Sequence, residues 1–136
     1  MNTNNISGNE KYLDLNKWYY IVVPMNQTTY DELCDNSFYD NENDCVKEGF
    51  LYMRFHEDAY CLMEEYLFNF IDAECDLFIN MYEEEFAEKE ILPMILEITN
   101  KMISSSDNEE FVILANEFRE LVEKAILYET CVGFIF

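Results

Sequence analysis

From Trp18 to Val23 the chain strings aromatic and β-branched side chains together without a polar residue between them, and Pro24 ends the run. Such a pattern predicts a strand near 17–23, covered on both faces. FLYMRFH, near 50–56, alternates instead. Leu51, Met53 and Phe55 share one side and Tyr52, Arg54 and His56 the other, the period of a half-buried strand. The period then lengthens. Between Glu57 and Asp76 the polar positions Asp58, Glu65, Asn69, Asp72 and Asp76 fall on one side of a helix over 57–75, leaving Leu62, Tyr66, Phe70 and Ala73 on a wide apolar side.

Residues 77–82 fit either a further short strand or a loop. A second helix, over 90–103, takes Pro93 in its first turn, where the missing N–H costs least, and turns Ile91, Ile95, Ile98 and Met102 inward. Ser106 and Glu109 have capping-box spacing and open a third helix over 107–127 with Phe111, Leu114, Phe118, Leu121, Val122 and Ala125 as its inner stripe. CVGFIF, 131–136, is too apolar to leave in water and belongs in the sheet. Thr29 and Glu32 have the spacing of another helix start, but the Asp and Asn residues from Asp35 to Asp44 favour turns and make 35–48 an exposed acidic loop. These elements describe an α+β fold, a small sheet covered by about three helices. No repeat or Pro/Gly/Ser-rich linker divides the chain, so 11–136 reads as one domain behind a flexible polar tail over 1–10.

Half of the 136 residues are hydrophobic, enough to bury a core. Charge changes the picture more: 29 Asp and Glu against 8 Lys and Arg give a net charge of −21. A surface of that sign repels phosphate backbones and anionic headgroups, which argues against direct binding of nucleic acid or membrane. It attracts basic proteins instead, with rates that fall as salt rises. No apolar run is long enough to cross a membrane and MNTNNISGNE is no signal peptide, so a cytoplasmic location is expected. Five cysteines without CxxC spacing fit reduced thiols better than a disulfide scaffold.

Candidate chemistry is sparse. His56 is the single histidine, which excludes zinc sites built on two imidazoles and leaves any Cys/His nucleophilic pair to this residue, with no Gly-rich oxyanion turn beside it. Asp40, Glu42 and Asp44 alternate as calcium ligands do, but Cys45 stands where such a loop needs glycine and Leu51 where it needs glutamate. With only three glycines there is no phosphate-binding loop. No cofactor or metal is expected, and the chain reads as a non-enzyme.

The acidic runs remain, above all MYEEEFAEKE, where Glu83, Glu84, Glu85 and Glu88 surround Phe86 and follow Tyr82. Solubility needs a net charge of only about 2–8 in a small domain, so the excess points to a use for the field itself. Rings among carboxylates suit a basic partner, the carboxylates steering it and the rings stacking on its arginines. The expected partner-binding face is therefore Tyr82, Glu83, Glu84, Glu85, Phe86 and Glu88, assisted by Asp40, Glu42 and Asp44. In size, order of elements and acidic segments such as MYEEEFAEKE, the chain resembles the small acidic bacterial immunity proteins of contact-dependent and polymorphic toxin systems. The resemblance implies a cognate toxin, often a nuclease, held inactive in a one-to-one complex. Two other readings compete: a DNA mimic that inhibits a DNA-binding protein, and a non-catalytic structural or regulatory subunit.

Overall fold

The computed structural model describes residues 17–35 and 37–136. The tail expected over 1–10 lies outside them. In chain order the elements are β1 (Tyr19–Pro24), α1 (Gln27–Asp35), β2 (Tyr39–Asp40), β3 (Cys45–Val46), β4 (Phe50–Phe55) and α2 (Glu57–Met63). A π-helical turn (Glu64–Phe68) then joins α2 to α3 (Asn69–Cys75), followed by β5 (Glu85–Glu88), α4 (Leu92–Ser105), α5 (Glu109–Tyr128) and β6 (Cys131–Ile135). The fold is α+β. Four strands form an antiparallel sheet in the order β4-β1-β6-β5, and β2 and β3 form a separate hairpin.

β1 is central and covered on both sides, as its unbroken apolar run requires. Ile21 pairs with Met53 on β4 and with Phe134 on β6. One face of the sheet, with Tyr19, Ile21, Val23, Met53, Phe55 and Phe134, meets the buried stripes of α2, α3, α4 and α5 in the main core. On the other face, Val22, Phe50 and Cys131 meet Leu33 of α1 and Phe38, which leads into β2. Rings dominate the main core: Phe68 packs on Phe118 and Phe134, and Tyr60 on Tyr19 and Phe136.

Several expectations are corrected. Of the two readings of 77–82 the loop holds and no strand forms there; the fourth strand is β5, at Glu85–Glu88. Asp76 takes a left-handed conformation (φ 56°) that ends α3, and Asn80 then folds a tight turn through its side chain, so the segment never extends. The stretch 35–48 is not one exposed loop, because Phe38 is buried beneath the β2–β3 hairpin. Phe70 and Ala73 are exposed: the core takes the row Tyr60, Met63, Leu67 and Ile71 instead. A fourth helix, α1, forms because Asn26 and Thr29 cap it reciprocally, Thr29 N–H donating to Asn26 Oδ1 at 3.0 Å and Asn26 N–H to Thr29 Oγ1 at 3.2 Å. The cap of α5 is Asn108, whose Oδ1 accepts from Phe111 N–H at 3.0 Å, rather than Ser106.

Candidate functional site

The connection between α3 and β5 is short, mixes apolar and acidic residues, and is firmly held. Ile79 is its plug, buried in the main core. The two adjacent N–H groups of Phe78 and Ile79 donate to two carboxylates, Glu85 Oε2 at 2.8 Å and Asp72 Oδ1 at 3.0 Å. Asn80 Oδ1 accepts from the N–H groups of Tyr82 and Glu83 at 2.8 and 3.2 Å, and its amide donates to Phe78 O at 2.9 Å. The two carboxylates make stronger bonds than neutral acceptors do, and together with Asn80 they fix the backbone without regular secondary structure.

What that backbone displays is aromatic. Phe78 is 65% and Tyr82 85% exposed. Asp76, Glu83 and Glu84 stand exposed around them. Burial, and after it the neighbouring charges of Glu85 and Glu64, push the Asp72 carboxyl above its ordinary range, against the bond from Ile79.

The expected site residues divide by role. Tyr82, Glu83 and Glu84 lie on this exposed loop. Glu85 is half-buried and its carboxylate already holds Phe78. Phe86 turns away, onto the sheet face opposite the main core, where its ring lies over Gly133: a Cβ added to that glycine would meet Phe86 Cε1 at 3.2 Å. Glu88 accepts the phenolic proton of Tyr30 at 2.6 Å, joining β5 to α1. Phe78 is a ring that the sequence pattern alone did not single out; its signal was an aromatic two residues before the turn-forming Asn80, in a stretch left open between strand and loop.

Asp40, Glu42 and Asp44 sit apart, on the β2–β3 turn. Asp40 Oδ1 accepts from the N–H groups of Glu42 and Asn43 at 3.0 and 3.1 Å, and Oδ2 from the Asn43 amide at 2.7 Å; these bonds hold its pKa below the ordinary value. Asp44 accepts the Tyr39 hydroxyl at 2.5 Å, and the Tyr39 ring leans on Tyr20 and Phe38. Two of the three carboxylates thus serve the turn itself, and Glu42 is exposed.

The glutamates around β5 have a structural use too. β5 is a sheet edge, four residues long, and the negative side chains from Glu83 to Glu90 discourage another strand from adding there. Among the described residues no group of three His, Cys, Asp or Glu side chains is arranged to hold a metal ion, and no helix is long and apolar enough to cross a membrane. Partial desolvation and adjacent carboxylates push the thiols of the exposed Cys61 and half-buried Cys75 up, which disfavours their thiolates. Comparison with protein-family models, curated proteins and solved structures finds no match to the chain.

Proposed function

We propose that this chain is an inhibitory binding protein, an immunity protein that neutralises a basic cognate toxin in the cytoplasm, and that the loop between α3 and β5 is its docking face. The observation that supports this reading is the pairing of two exposed rings, Phe78 and Tyr82, with a backbone pinned by Asp72, Asn80 and Glu85. Large rings left in water on a flexible segment would lose much of their binding energy to ordering. On a pinned segment that cost is already met by the fold. Rigid rings flanked by carboxylates suit an arginine- and lysine-lined groove, the rings covering guanidinium planes while Glu83 and Glu84 steer the encounter.

The test is protection of growth. The carboxy-terminal region of a toxin encoded beside this chain is expressed alone and with the chain. Native chain restores growth, and the Phe78→Ala/Tyr82→Ala variant does not. If the native chain leaves the toxin active, the reading fails. If it displaces DNA from several unrelated DNA-binding proteins, the DNA-mimic reading replaces it.

A further inference from the structure

α3 and α4 leave part of their apolar surface in water. Phe70 on α3 is 45% exposed and Met94 on α4 46%. With Ile98 and Met102 they line an open groove of about 350 Å³ between the two helices. Met94, Ile98 and Met102 recur at every fourth residue of α4, and Phe70 and Glu74 have the same spacing on α3, so each helix lays one row of side chains along the groove. Two rows side by side form the seat into which the ridge of a third helix packs. The rim carries Glu74 and Glu97 against Lys101.

We propose that this groove takes an amphipathic helix of the same partner that meets the loop between α3 and β5, with apolar residues on the helix's inner side and lysine or arginine beside them. The inference rests on the inhibitory reading and deepens it. A stable interface takes about 20–30 residues from each side, and the loop from Asp76 to Glu84 is only a fraction of that. The groove is the apolar surface next along the chain: Glu74 on its rim stands four residues before Phe78, which keeps their Cα atoms within about 14 Å of each other. The parallel rows select a helix as the occupant. Methionine, unbranched and polarizable, adapts to whichever apolar side chain of that helix enters. Charge acts in the same direction, because Glu74 and Glu97 favour basic flanks and a net charge of −21 draws a basic partner while it repels a second copy.

The probe is a synthetic peptide of about 18 residues, long enough to form a helix, with leucine on one side and lysine on the other; its control replaces lysine with glutamate. Amide chemical shifts of the chain are followed as each is added. The lysine peptide should move the amides of 70–74 and 94–102 first, bind more weakly as salt rises, and lose about tenfold or more of its affinity to Phe70→Ala/Met94→Ala. Met94→Lys, at an exposed position, serves if the double variant fails to fold. No binding of the lysine peptide, shifts scattered over the acidic surface, equal binding of the two peptides, or a folded variant that binds as tightly as the native chain would each overturn the proposal. So would full protection of growth by Phe70→Ala/Met94→Ala against a toxin that the native chain neutralises. A native chain that fails to protect removes the inhibitory reading, and the peptide shifts report on the groove independently of it.

Discussion

Asp72 shows how one side chain serves the site and strains the fold. Its carboxylate fixes Ile79 N–H, yet burial and the charges of Glu85 and Glu64 raise its folded pKa above the ordinary value near 3.8. Between those two values the folded chain holds a proton that the unfolded chain has released, so stability falls as pH rises through the window. Below it both states are protonated and the penalty vanishes. Asp72→Asn keeps an oxygen to accept from Ile79 and removes the charge. Its melting temperature should exceed that of the native chain at pH 7, by no more than about a few degrees, and the two should converge as pH falls toward 4, as thermal melts across that range will show. An unchanged or lower melting temperature at pH 7 contradicts this account. At the same scale, helix caps were only half legible. Thr29 and Ser106 were visible as cap residues, but which partner each takes depends on where the preceding chain enters. That is why Asn26 and Asn108 hold the caps.

Elements were legible where one period ruled them. β1, β4, β6, α4 and α5 all appear close to where the hydrophobic pattern places them, because a long periodic stripe has one way to face a core. β5 was hidden for the opposite reason: in Glu85-Phe86-Ala87-Glu88, two of four residues are charged, and only the neighbouring β6 makes it a strand. Phe86 makes the point sharply. Read along the chain it is a ring among carboxylates; in the sheet it covers Gly133, filling the space that a side chain there would occupy. Phe86→Ala should therefore cost about 2 kcal/mol of stability, less than a fully buried ring because Phe86 is half-buried. Phe78→Ala should stay within about 0.5 kcal/mol of native. Denaturant midpoints at unchanged slope will separate the two. The reverse order would exchange their roles, making Phe86 the displayed ring.

Across the whole molecule, a surplus of carboxylates surrounds a core rich in aromatic rings, and self-repulsion is the standing cost of that charge. The fold spends part of the excess internally: Asp40 and Asp44 on a turn, Asp72 and Glu85 on a loop, Glu88 on Tyr30. Glu83 and Glu84 remain exposed beside Tyr82, and they are the residues on which the proposed steering of a basic partner depends. In the sequence, charge alone suggested such a face; its proposed position rests on Phe78 and Tyr82, both exposed on a turn pinned by Asp72, Asn80 and Glu85. The most direct measurement is the association rate with the proposed cognate toxin as salt is varied, for the native chain and for Glu83→Lys/Glu84→Lys. The account predicts a native rate that falls steeply with salt, and a variant about tenfold slower at low salt with a flatter dependence. Equal rates and equal slopes for the two would contradict it.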